Sequence, residues 1–280
     1  MAERRRLLRN WRVLLGGGLL LALAIAAVFA PVLAPYDPLD QDLAAQLVPP
    51  DWQFFNAAAH ALGTDSLGRD VLSRLIWGSR VALTVALVAG ALTALAGTAL
   101  GLAAGFFGGW LDALISRLVD VWSSFPPVLL SIILVALIGT GLWSVVVAIV
   151  VIDWTRFCRV VRAETLKQRG MDYVDAAVVA GLAPRAILWR EVVPNVLPLV
   201  LVLLTLEMGI AVVVEAILSF VGLSISSDAP SWGGMIAEGR TIVHEAPWVL
   251  VGAMAVLLAT VLGFNLLGDG LKAELDPVLR

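Results

Sequence analysis

Three carboxylates, Asp153, Glu207 and Glu215, each stand inside a run of residues long and apolar enough to cross a bilayer. An ionisable side chain at that depth costs roughly 2.5–3.5 kcal/mol on insertion scales, so each must face other helices, a partner group or a water-filled path. Two chemistries use carboxylates placed in this way: carrying protons, or lining the route of a solute. Other reactive side chains are sparse. The chain has two histidines, His60 and His244, and one cysteine, Cys158. They show no metal-ligand spacing and no nucleophile–base arrangement, and a lone cysteine gives no internal disulfide. No glycine-rich phosphate loop of the Walker A type is present, so ATP hydrolysis on this chain is excluded.

Hydrophobic residues make up 60% of the 280, charged residues 15%, and the mean hydropathy is +0.94. This is the composition of an all-α polytopic membrane protein, outside the usual soluble range, and it offers no basis for nucleic-acid binding. Residues 1–34 read as a basic segment followed by a first spanning helix. Arg4, Arg5, Arg6, Arg9 and Arg12 precede an apolar run from Val13 to Ala34 that is too long for a signal-peptide core. Residues 35–80 read as an extracytoplasmic loop. Pro35, Pro38, Pro49 and Pro50 oppose regular structure in its first part. An amphipathic helix capped by Asp65 or Ser66 is expected near its end, with Leu67, Val71, Leu72 and Leu75 on one face. Residues 81–280 hold five further spans, giving six in all.

Within that core, Val81 to Phe107 is rich in Ala and Gly. Gly97, Gly101 and Gly105 recur every fourth residue, a small face on which another helix can lie closely. Gly108 to Asp120 reads as a short turn. The third span, Val119 to Ile138, is distorted at Phe125-Pro126-Pro127, whose freed carbonyls need other partners. The fourth, Leu142 to about Val161, carries Asp153. Arg156, Arg159 and Arg162 form a stripe at its inner end, the usual pattern of headgroup anchors. The fifth runs from Val196 to about Val221 and the sixth from Ala246 to Leu267.

Between the fourth and fifth spans lies a long polar interval, 164–195. Asp172 is placed to cap a short helix, with Asp175 as its capping-box partner. Gly181 is placed to end that helix. Pro184 suits the first turn of a second helix, and Pro194 is expected to break it. The product is a helical hook.

The order Asp175-Ala176-Ala177, three residues, Gly181, ten residues, Val192-Val193-Pro194 resembles the EAA loop of ABC-importer permeases. Asp175 stands where Glu is usual, and Val192-Val193 where Ile-Leu is usual; both changes keep the chemistry. Leu62 to Arg80, Glu215 to Gly222, Pro230 to Gly233 and Phe264 to Pro277 each resemble segments of the dipeptide, oligopeptide and nickel class. The resemblance implies a type I ABC importer permease fold in a bacterial cytoplasmic (inner) membrane. It implies pairing with a second homologous permease, two ATP-binding subunits that carry ATP and Mg, and an extracytoplasmic solute-binding protein, all amid membrane lipid. By it, Tyr173, Asp175, Ala176, Ala177, Gly181, Pro184 and Pro194 would couple the chain to the ATPases. Asp153, Glu207 and Glu215 are candidates for the translocation path. The cargo expected of the class is a di- or oligopeptide, with nickel or another small solute as the alternative.

Charge supports an orientation independently of the resemblance. With both termini and the hook in the cytoplasm, only Arg69, Arg74, Arg80 and Arg240 among the lysines and arginines fall outside. A proton-coupled secondary transporter is the competing class. It would usually show two similar halves with matched broken helices, and no such repeat is visible.

Overall fold

The computed structural model describes residues 10–52, 60–224 and 229–275. Arg4, Arg5, Arg6, Arg9, Pro277 and Arg280, used above for charge and motif, lie outside the described residues. The order is α1 (Trp11–Val28), α2 (Ala30–Leu33), a single 3-10 turn (Leu43–Ala45), α3 (Val71–Phe107), α4 (Gly109–Ser123), α5 (Pro127–Ile138), α6 (Leu142–Arg169), α7 (Asp172–Val179), α8 (Pro184–Ile187), a π turn (Leu188–Val192), α9 (Val193–Phe220), α10 (Trp232–Thr241) and α11 (Pro247–Leu275). Among the described residues the only β pairing is an isolated bridge between Thr64 and Asp70.

By length and composition, four helical stretches can cross a membrane: α1, α3, the unbroken run Pro184–Phe220, and α11. A fifth appears if α4 and α5 count as one broken span; they meet at 87°. The sixth, α6, is long enough at 28 residues. It carries Asp153, Arg156 and Arg159 in its apolar part, and crosses a bilayer only with those groups turned from lipid. The six-span reading is therefore approximate.

The glycine face of α3 is used. A Cβ on Gly97 would lie 2.6 Å from the Trp154 carbonyl, one on Gly101 2.8 Å from that of Cys158, and one on Gly105 2.8 Å from that of Arg162. Helices α3 and α6 therefore pack backbone to backbone, at a distance that only the smallest residue permits. Gly16 does the same for α1 against α11, where a Cβ would sit 2.8 Å from the Gly263 carbonyl. Among the described residues, four apolar clusters fill the bundle, the smallest joining Ile115 and Val119 to Ala104. Of the other three, one joins Val71, Val212, Trp232 and Val249, one joins Val85, Val135, Ile149 and Leu218, and one joins Phe157, Val174, Ile187 and Val192 at the hook end.

Three expectations change. No separate amphipathic helix precedes the second span, because α3 starts at Val71 and runs 37 residues without interruption. Its cap is Asp70, which accepts the Ser73 N–H at 2.7 Å; Asp65 and Ser66 lie in the turn before it. The turn expected at Gly108 to Asp120 is the helix α4, 15 residues long, with Ile115 and Val119 buried against the core. Its apolar positions are too few for a span but sufficient for one packed face. The long first span is also divided, with a break at Phe29 before α2.

Candidate functional site

The hook is built as a closed helical turn. Helix α7 ends at Val179 with Ala180 as its C-cap, and Gly181 takes φ +78°, the left-handed region that glycine enters at least cost. The Leu182 N–H reaches the Ala177 carbonyl at 3.1 Å and the Gly181 N–H reaches that of Val178 at 2.9 Å. These are the paired bonds of a Schellman stop. Pro184 occupies the first turn of α8, as its missing N–H allows.

Two details depart from expectation. Asp172 is inside α7 rather than capping it; the cap position is Met171, and no side chain bonds there. Asp172 and Asp175 instead place negative charge in the first turn, where the helix dipole favours it. Pro194 does not break the second helix. The backbone widens to a π turn over Leu188–Val192, with the Val193 N–H bonding the Leu188 carbonyl. That widening admits the proline ring, and the Asn195 side chain donates to the Glu191 carbonyl at 2.6 Å.

The faces of the hook differ sharply. Val174 and Ala177 are buried, packed with Ile187, Leu188 and Val192, and the half-buried Tyr173 donates its hydroxyl to Gln168 at 2.6 Å. Asp175, Ala176, Val178, Val179 and Ala180 point outward, as does Trp189 on the π turn. Val179 is 88% exposed and Trp189 66%. Ala177 therefore serves the hook's own core, and the apolar surface available to a partner includes Ala176, Val178, Val179 and Trp189. The signal was present in the sequence. Residues 174 and 177 share one helix face, and 176 and 179 share another.

The three membrane-depth carboxylates fall into two groups. Asp153 on α6 and Glu207 on α9 come together around Arg156, whose Nη2 lies 3.5 Å from an oxygen of each. Glu207 is 1% exposed, and its Oε1 has no hydrogen-bond partner. Arg156 is the open member, its side chain 45% exposed. Glu215 lies eight residues farther along α9 and is occupied locally, accepting from Ser219 at 2.6 Å and Ser224 at 3.1 Å. It ties the end of α9 to the loop beyond.

Sequence reasoning placed Arg156, Arg159 and Arg162 together as headgroup anchors. Each instead has a carboxylate within reach. Arg162 grips both oxygens of Asp112 on α4, with Nη2 at 2.7 Å from Oδ2. Arg159 stands 3.9 Å from Asp120 and donates to Ser123 at 3.3 Å. The stripe therefore pins α4 across α6 and sends its first member, Arg156, to the mid-span pair. Nothing in the local sequence links Asp112 to a residue fifty positions away.

At the opposite end of the bundle, the segment Leu62 to Arg80 forms a buried ion cluster. Asp65 accepts the Leu67 and Arg69 N–H groups at 2.8 and 3.0 Å, and the guanidinium groups of both Arg69 and Arg74. Both arginines also reach Glu238 on α10 at 2.9 Å, and Ser66 donates to its other oxygen at 2.8 Å. Burial alone would raise the Glu238 carboxyl, but Arg74, Ser66 and Arg69 outweigh it and hold it below the usual range. The Trp248 indole closes the cluster onto the Thr64 carbonyl at 3.0 Å.

Comparison with known proteins agrees along the chain. Residues 97–280 match the family model for binding-protein-dependent transport system inner membrane components, and residues 3–50 match the N-terminal TM domain of oligopeptide transport permease C. The di/tripeptide transport system permease protein DppC of Pseudomonas aeruginosa is 39% identical, over 94% of this chain and 88% of that protein. The dipeptide transport system permease protein DppC of Haemophilus influenzae is 35% identical, over 97% and 92%. The glutathione transport system permease protein GsiD of Pectobacterium atrosepticum is 38% identical, over 99% and 90%. Among solved structures, a chain of the MetNI methionine ABC transporter in an inward-facing form superposes with a TM-score of 0.60. It is 22% identical and covers 72% of this chain and 96% of its own length, a likeness of fold. Because the identity holds across nearly the whole length and not over the hook alone, this chain belongs to the family of binding-protein-dependent transport system inner membrane components, multi-pass proteins that conduct transport rather than catalyse a reaction.

Proposed function

We propose that this chain is one of two permease subunits of an ATP-driven importer and that its cargo is a short peptide. The observation that carries the proposal is its similarity, over nearly its full length, to permeases named for di- and tripeptides. In this reading a solute-binding protein delivers the peptide from outside, a second homologous permease completes the path, and two ATPase subunits bind ATP and Mg. The hook, 164–195, docks on an ATPase. Gly181 and Pro184 shape it, Tyr173, Ala177 and Pro194 hold it on the bundle, and Asp175, Ala176, Val179 and Trp189 form its outward surface. Both termini are cytoplasmic, as the charge bias supports.

The test is uptake of radiolabelled Ala-Phe into proteoliposomes holding the whole transporter and its binding protein. Uptake is expected to require ATP inside the vesicles and to resist excess nickel. Uptake driven by a proton gradient without ATP would overturn the importer reading; ATP-driven uptake of nickel but not of Ala-Phe would overturn the cargo.

A further inference from the structure

Asp153, Arg156 and Glu207 form a charged set with one side open. Two carboxylates face one guanidinium, and both contacts are 3.5 Å, at the limit of a hydrogen bond. Both oxygens lie 3.5 Å from the same nitrogen, so they are no more than about 7 Å apart. Glu207 Oε1 is buried with no donor. A buried carboxyl oxygen left without a donor is costly, and Asp153 and Glu207 also hydrogen-bond each other, so a cationic donor between them would replace that contact and supply the missing one.

Depth and exposure say where that donor comes from. Asp153 lies eleven residues after the start of α6, and Glu207 thirteen before the end of α9, so both are near the middle of their helices. Among the described residues, the Arg156 side chain is left 45% exposed. A guanidinium at that depth does not face lipid, so this side of the bundle faces a wet passage or the second permease along it.

We propose that the Asp153–Arg156–Glu207 set is a mid-membrane subsite for the two charged ends of a zwitterionic peptide. The peptide's α-ammonium group, with three donors, takes the place of Arg156 between the carboxylates. The guanidinium swings outward on its flexible stem and receives the peptide's α-carboxylate as a paired, charge-assisted contact. Weak ties at 3.5 Å suit an arginine that must let go, whereas Arg162, held on both oxygens of Asp112, does not. The subsite rests on the peptide-importer reading and specifies it: the chain recognises main-chain charge and is indifferent to side chains.

The test uses the assembled permease–ATPase complex in lipid nanodiscs, with radiolabelled Ala-Phe, N-acetyl-Ala-Phe and Ala-Phe amide as probes. The wild-type complex is expected to bind Ala-Phe about tenfold more tightly than either blocked peptide. Asp153→Asn and Glu207→Gln should abolish the preference over N-acetyl-Ala-Phe, and Arg156→Gln the preference over the amide. Arg117→Gln, on the exposed side of α4, should keep both. Equal binding of all three peptides by the wild-type complex, or no binding, overturns the subsite without needing any variant to fold. So do variants that assemble and retain the preferences. A chain that assembles with no ATPase overturns the importer reading beneath it, an outcome distinct from an ATP-hydrolysing complex that ignores peptide charge.

Discussion

Ala177 and Val179 differ by two positions and by the surface they serve. Ala177 is packed on Ile187, Leu188 and Val192, so Ala177→Asp buries an unpaired charge and should cost about 3 kcal/mol. Val179 stands in the open, so Val179→Asp should leave thermal stability unchanged and lower the amount of ATPase co-purified per permease several-fold. Melting in detergent and quantitative co-purification separate the two. Equal loss of ATPase from both without a change in melting would mean that Ala177 also meets the partner. At Gly181 no neighbour lies within 4 Å of a built Cβ, so the penalty of Gly181→Val is conformational, about 1–3 kcal/mol from the left-handed backbone. Solute-stimulated ATP hydrolysis should fall while the protein remains inserted; normal hydrolysis would show that the hook tolerates a different turn.

Glu238 gives a pH dependence with a definite sign. Its carboxyl is held below its ordinary value by Arg74, Ser66 and Arg69 despite burial. A group with a depressed folded pKa adds stability that is fully present above its unfolded value, near 4.3, and is lost as pH falls through the lower folded value. The purified protein should therefore lose thermal stability below about pH 4.3 more steeply than Glu238→Gln, which lacks the titrating group. Glu238→Gln should itself be about 2 kcal/mol less stable at neutral pH, because Arg69 and Arg74 lose a shared partner. Identical acid profiles for the two proteins would remove Glu238 from the account.

Among elements, the apolar runs reveal the helices, and the glycine spacing reveals the face on which α3 meets α6. Gly101→Ala tests that contact. The added carbon would lie 2.8 Å from the Cys158 carbonyl, so the pair must part, at a cost of about 1–3 kcal/mol. A melting temperature unchanged in Gly101→Ala would show that the helices are free to separate. The same reasoning could not see α4. Its fifteen residues carry Asp112, Arg117 and Asp120 and look like a loop until Arg162 and Arg159 on α6 are brought across to meet them. Pro194 misleads for a related reason. Proline removes one hydrogen bond locally, but whether a helix ends there depends on whether the backbone can widen and a side chain such as Asn195 can take up the slack. The mid-span site was half legible: depth marks Asp153 and Glu207, whereas their meeting at Arg156 and the separation of Glu215 are properties of tertiary packing. Intervals in sequence do not encode such meetings.

For the whole molecule, the charge bias places Gln41 outside and Arg185 inside. With Cys158→Ser as background, Gln41→Cys should react with a membrane-impermeant thiol reagent in intact cells and Arg185→Cys should not. The opposite pattern would invert the orientation. Uptake by Glu215→Gln should remain ATP-dependent and insensitive to a proton uncoupler at constant ATP, since Glu215 is engaged by Ser219 and Ser224. Collapse under the uncoupler would revive proton coupling.

The unbroken helical run from Pro184 to Phe220 makes the far arm of the hook and the fifth span one rod. At 1.5 Å per residue, its 37 residues measure about 55 Å. A tilt of roughly 5° about one end displaces the other by about 5 Å, one turn of helix. Glu207 lies between, so if the proposed ATPase contact pushed on Trp189, the same rod would carry Glu207 with it and pull on the Glu215–Ser224 tie at its tip. Trp189 sits on the π turn, Leu188–Val192, so how firmly that turn joins the span would set how much of such a push reaches the other side.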